Sequence, residues 1–85
     1  MDMVGKILYK SSVRHDLKQI DRKNVESVLR EIRTVLGKNP RSGELLRGEF
    51  EGLYKLRVGD YRVVYALIRE DVLVLRIGHR RKVYR

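Results

Sequence analysis

Four side chains suited to holding a phosphate are spaced so that a short β-meander would gather them: Lys55, Arg57, Arg62 and His79. A two-residue turn at Gly59 and Asp60 sets Val58 opposite Tyr61, and therefore Arg57 opposite Arg62. A two-residue turn at Glu70 and Asp71 sets Arg69 opposite Val72, and therefore Arg62 opposite His79. Directly opposed residues share a face, as do residues two apart on one strand. All four are thus expected to converge on one face, near one end of a sheet.

Like charges placed opposite each other destabilise a sheet by roughly a few tenths of a kcal/mol or more. An Arg57–Arg62 pair is a poor choice for folding alone, and makes sense if an anion sits between the two. The planar guanidinium fork suits phosphate because it binds two oxygens at once. The competing reading is that each cation pairs with a carboxylate of the preceding loop, where Glu44, Glu49 and Glu51 are candidates. The C-terminal stretch GHRRKVYR at positions 78–85 adds Arg80, Arg81 and the phenol of Tyr84. It could equally be a solvated basic tail, with His79 structural and Tyr84 a last core aromatic. No P-loop, no metal-spaced His/Asp/Glu cluster and no partnered serine nucleophile stands out.

These residues need elements to position them. Positions 6–10 read as a short strand, and Ser11 or Ser12 offers an oxygen to cap a helix. Val13, Leu17 and Ile20 form one helical stripe. Asp21 can cap a second helix, whose apolar positions Val25, Val28, Leu29, Ile32, Val35 and Leu36 keep the helical period. Gly37 suits its C-terminal cap, and Pro40 prevents continuation. Positions 41–52 read as a glycine-punctuated loop anchored by Leu45, Leu46 and Phe50. Positions 53–58, 61–69 and 72–78 are rich in Val, Leu, Ile and Tyr and read as three strands. The order strand, helix hairpin, three-stranded meander (βααβββ) predicts an α+β domain with helices on one side of a mainly antiparallel sheet. Both sheet faces carry apolar residues: Val64, Ala66, Leu75 and Ile77 on one, Leu56, Val63, Leu67 and Val74 on the other.

Bulk properties set the partners. With 85 residues there is room for one domain, spanning 1–85. Twenty Lys and Arg against 11 Asp and Glu give a net charge of +9, an electrostatic footprint for polyanions. Absence of cysteine excludes disulfides and thiolate chemistry. No membrane-length apolar run and no leader-like segment is present, so a cytoplasmic address without a membrane partner is expected.

The strings LLRG at 45–48, LYKLRVGDYRVVY at 53–65 and GHRRKVY at 78–84 together resemble the RelE/ParE toxin superfamily. The helix hairpin and Pro40 also fit, so the resemblance spans nearly the whole chain. It implies the RelE-like fold and one of two activities: RelE-type members cleave mRNA in the ribosomal A site, whereas ParE-type members poison DNA gyrase. In the RelE branch, catalysis proceeds without metal or cofactor. Carried over by position, Lys55 and Arg57 match its basic residues of the second strand, and Arg62 its phosphate-binding arginine. Arg80 matches the arginine after the fourth strand, with Arg81 as the competing alignment. Tyr84 matches the tyrosine that contacts the reacting nucleotide, and His79 falls where many relatives have histidine.

The implied reaction is attack of a ribose 2′-hydroxyl on the adjacent phosphorus. Arg62 with Arg57 and Arg80 would stabilise the extra phosphate charge. Unperturbed lysine and tyrosine titrate near roughly 10, but a crowd of cations favours the neutral amine and the tyrosinate. Lys55 and Tyr84 are therefore the candidate bases, with His79 behind them. The same resemblance implies a cognate antitoxin with an acidic, amphipathic segment, a toxin–antitoxin heterotetramer, and the ribosomal 30S A site with its mRNA as target. The expected function is a ribosome-dependent, metal-independent mRNA endonuclease. The alternatives are a ParE-like gyrase poison and a non-catalytic basic nucleic-acid-binding module.

Overall fold

The computed structural model describes residues 5–79; Arg80, Arg81 and Tyr84 lie outside the described residues. Strand β1 (Ile7–Tyr9) leads into helix α1 (Ser11–Lys18) and helix α2 (Arg22–Glu31), which continues through a π turn at Ile32–Leu36. Strand β2 (Glu44–Leu45), a 3-10 turn at Gly48–Phe50, and strands β3 (Leu53–Val58), β4 (Tyr61–Ile68) and β5 (Asp71–His79) follow. The sheet order is β1-β5-β4-β3-β2. The meander β3-β4-β5 is antiparallel, as is β2 on β3, while β1 runs parallel to β5. The expected α+β architecture is therefore present, with one strand more than the sequence suggested.

One sheet face is the core. Val63 and Tyr65 of β4 and Val72, Val74 and Ile77 of β5 are buried against Val13 of α1 and Val28, Ile32 and Leu36 of the second helical segment. Val28, Ile32 and Leu36 recur at four-residue intervals, so one stripe stays inward. Fully burying such a side chain stabilises by about 1.5–3 kcal/mol each.

Several local expectations are corrected. Helix α1 begins at Ser11, with Lys10 in the capping position and no side-chain cap. Asp21 does precede α2 but makes no side-chain cap bond. Gly37 has a right-handed φ of −65°, so it is no left-handed terminator; the chain turns only beyond it. The segment read as pure loop contains β2 and the 3-10 turn. Leu45 is 53% exposed and anchors nothing in the core, whereas Leu46 and Phe50 are half-buried.

The second hairpin departs most. Ile68 pairs with Asp71, so the turn residues are Arg69 and Glu70 rather than Glu70 and Asp71. Arg69 adopts a left-handed φ of 58°, an arrangement that normally favours glycine. Asp71 belongs to the strand, and its carboxylate accepts from the Lys6 backbone N–H at 3.0 Å. A bulge then inserts one extra residue into β5, because Tyr65 faces Val74 while Val64 faces Arg76. The earlier turn and the bulge together put Arg62 opposite Gly78 and Tyr61 opposite His79. The bulge also moves Ile77 onto the core face, opposite Val63, instead of beside Val64.

Beyond β1, the outer edge of β5 is closed by α1. Asp16 Oδ2 accepts from the Ile77 backbone N–H at 3.0 Å and from Arg76 Nε at 3.0 Å. A carboxylate thus satisfies a strand-edge donor that would otherwise lack a ladder partner. Among the described residues no helix is long and apolar enough to cross a membrane.

Candidate active site

The first hairpin behaves as its turn residues dictate. Gly59 takes a φ of +59°, and the strands leave the turn with Val58 opposite Tyr61 and Arg57 opposite Arg62. Lys55 faces Val64 on the same pair of strands, so Lys55, Arg57 and Arg62 share the face turned away from the helices. Arg57 is exposed, while Lys55 and Arg62 are half-buried. A pocket of about 300 Å³ opens there, lined by Ser42, Gly43, Glu44, Lys55, Leu56, Arg57 and Arg62.

His79 does not join them. It lies across from Tyr61 on the core face, with its ring set edge-on to the Tyr61 ring at a centroid distance of 6.2 Å. Asn24 of α2 donates to the Tyr61 hydroxyl at 3.2 Å. Tyr61 and His79 therefore tie the end of β5 to α2, across the sheet from the cationic pocket. Of the seven residues singled out in the sequence, three meet at the pocket, one is on the opposite face, and Arg80, Arg81 and Tyr84 lie outside the described residues.

The carboxylate alternative holds at Lys55. Glu44 faces Lys55 in the β2–β3 register, and its Oε1 stands 3.8 Å from Lys55 Nζ. The rest of the pocket lining is cationic, polar or apolar, so among the described residues Glu44 is its single acid.

A buried tyrosine builds this wall. Tyr65 sits in the core, stacked on Tyr54 at 5.3 Å. Its hydroxyl donates to the Pro40 carbonyl at 2.8 Å and accepts from the Gly43 backbone N–H at 3.0 Å. A Cβ on Gly43 would stand 2.5 Å from that hydroxyl and 2.6 Å from the Lys55 carbonyl, so only glycine lets the backbone come this close. Burial pushes the Tyr65 phenol above its ordinary range, partly offset by the Gly43 N–H. Sequence reading missed Tyr65, because a tyrosine in a strand looks like any core aromatic. Pro40 and Gly43 marked a turn but not what grips it.

Chemically, three cations around one pocket can hold a phosphate and neutralise charge that develops on it. Among the described residues, no three His, Cys, Asp or Glu side chains are grouped so as to hold a metal ion.

Comparison with known proteins agrees with this fold. Residues 7–84 match the family described as the ParE toxin of the type II toxin–antitoxin system parDE. Toxin RelG of Mycobacterium tuberculosis is 30% identical over 82 residues, covering 93% of this chain and 94% of RelG. Among solved structures, the toxin–antitoxin complex RelBE2 of M. tuberculosis superposes with a TM-score of 0.83 at 28% identity, covering 91% of this chain and 99% of that one. A mutant of E. coli toxin RelE with two arginines replaced by alanine, in complex with an antitoxin RelB peptide, gives a TM-score of 0.71 at 26% identity, covering 91% of this chain and 84% of that one.

Proposed function

The chain belongs to the ParE toxin family of type II toxin–antitoxin systems, within the RelE/ParE superfamily, and we propose that it is a ribosome-dependent endoribonuclease. The observation that carries this reading is the grouping of Lys55, Arg57 and Arg62 around one pocket on the open sheet face. A toxin acting only by protein contact has no need to hold three cations around a cavity. Phosphoryl transfer needs them, since fixed donors aimed at developing charge are usually the largest catalytic contribution.

In the proposed reaction a ribose 2′-oxygen bonds to the adjacent phosphorus, the bond to the 5′-oxygen breaks, and a 2′,3′-cyclic phosphate remains. The 2′-proton goes to a base, and the leaving 5′-oxygen takes a proton. Arg57 and Arg62 grip the non-bridging oxygens, with Arg80 (or Arg81) contributing from the terminal segment. Lys55 and Tyr84 are the groups assigned to proton transfer, without a metal. His79, on the other face, is assigned no proton.

The same reading supplies a partner. Leu8, Leu73, Ala66 and Leu53 stand in register across four strands on the open face, and Leu8 and Ile68 are exposed. An apolar row at one end of that face with cations at the other suits an amphipathic, acidic antitoxin segment. Structural relatives of this chain were solved as toxin–antitoxin complexes.

The test is cleavage of a defined mRNA on ribosomes with an empty A site, with free mRNA as control and gyrase supercoiling in parallel. Cuts in the A-site codon on ribosomes alone support the proposal. Gyrase inhibition without scission would replace it with the ParE-type activity.

A further inference from the structure

Glu44 stands out within the pocket, because an acid there opposes the binding of phosphate. Its position is built rather than incidental. The β2–β3 register sets it directly across from Lys55, and the strand it starts is held by the Tyr65 hydroxyl through Pro40 and Gly43. The Glu44 side chain is 73% exposed and that of Lys55 24% exposed, so the carboxylate reaches down to a partly sheltered ammonium from the pocket mouth.

We infer that Glu44 is a specificity-determining counter-ion: it occupies Lys55 until a substrate phosphate displaces it. The inference rests on reading this pocket as a phosphate site for RNA. To reach Lys55, a lone phosphodiester must first break the Glu44–Lys55 pair. An RNA presented with many additional contacts outweighs that cost, whereas a short free RNA does not. Glu44 thus biases the toxin against casual binding of cellular RNA, to which its net charge of +9 would otherwise draw it. In this role Glu44 acts through Lys55 on binding and takes no proton from the substrate.

The experiment measures the affinity of the full-length, antitoxin-free protein for a short, uncleavable 2′-O-methyl RNA at low salt, by fluorescence anisotropy. Glu44→Gln should bind about two- to fivefold more tightly than the parent, the range expected when a partly exposed ion pair is removed from the competition. Glu49→Gln and Glu51→Gln, which alter net charge equally but lie outside the pocket lining, should change affinity by less. In a Lys55→Met background, or Lys55→Gln if the methionine variant folds poorly, the gain from Glu44→Gln should fall to the size seen in the control variants. An unchanged or weaker affinity for Glu44→Gln overturns the inference, as does an equal gain in the control variants or one that persists in full without Lys55. Cleavage on ribosomes by the parent is read separately. Its absence would sink the nuclease reading while leaving the binding comparison intact, and its presence with no Glu44 effect would sink only this inference.

Discussion

The two faces of one sheet, built from alternate residues of the same strands, obey different rules. On the inner face Val63, Tyr65, Val72, Val74 and Ile77 are close to fully buried beneath the helices. On the outer face the same strands present Lys55, Arg57 and Arg62, with two arginines directly opposed. The inner face is specified by volume, since each side chain fills space that nothing else can fill. The outer face accepts a pairing that weakens the sheet. Its residue choices make sense through what they bind rather than through what they pack against.

Substitutions on the two faces should therefore separate stability from activity. Ile32→Ala removes a fully buried side chain under the inner face and should cost about 2–5 kcal/mol in urea unfolding, a large share of the stability of so small a chain. The fraction that stays folded should cleave at the parent rate. Arg62→Ala on the outer face should do the reverse: cleavage falls about 10²–10³-fold, while the unfolding midpoint moves far less than for Ile32→Ala. For Arg62→Ala, a large stability loss with unchanged cleavage would erase the distinction between the faces.

Tyr65 joins the two faces, and Tyr65→Phe should cost about 1–3 kcal/mol by leaving the Gly43 N–H and Pro40 carbonyl without their partner. Its pH dependence gives a second reading. Because burial raises the folded-state phenol, its contribution is complete below the unfolded value of about 10 and is lost as pH rises through the folded value. Parent stability should thus fall more steeply above about pH 10 than that of Tyr65→Phe. Equal slopes would show that the hydroxyl is not held as described.

Two smaller effects sharpen the comparison. His79→Ala should reduce cleavage by less than about tenfold, below the roughly 10²–10⁴-fold expected for a general base, because His79 lies on the inner face beside Tyr61. A full-sized loss would bring His79 back into the chemistry. Arg69→Gly should stabilise by at most about 1 kcal/mol, by relieving a side chain held in the left-handed region at some cost in chain entropy. Destabilisation would mean that Arg69 makes a contact worth more than the strain.

The two hairpins also explain what the sequence could reveal. The first was legible because Gly59 stands where positive φ is needed, and one turn fixed the opposition of Arg57 and Arg62. The second was not, because Arg69 fills the position where glycine would have announced the turn, while Asp71 looks like a turn residue but serves the Lys6 N–H. The bulge at Leu75 carries no local mark either, and the one-residue shift it leaves moved His79 to the other face. Strand β2 is two residues long and has little propensity signal of its own. It forms where Tyr65 holds the chain, and that grip is tertiary. Helix stripes gave the inward positions Val13, Val28, Ile32 and Leu36, whereas strand alternation grouped Val63 with Val74 but set Ile77 on the opposite face. Glu44 was visible as a candidate partner, but only the β2 register selected it over Glu49 and Glu51.

The most direct test of the central claim is end-group analysis of mRNA recovered from A-site-empty ribosomes after exposure to the antitoxin-free toxin. The upstream fragment should carry a 2′,3′-cyclic phosphate and the downstream one a 5′-hydroxyl. No cut should occur when the nucleotide before the scissile bond lacks its 2′-hydroxyl. Intact message, or scission that survives removal of that hydroxyl, would contradict the claim.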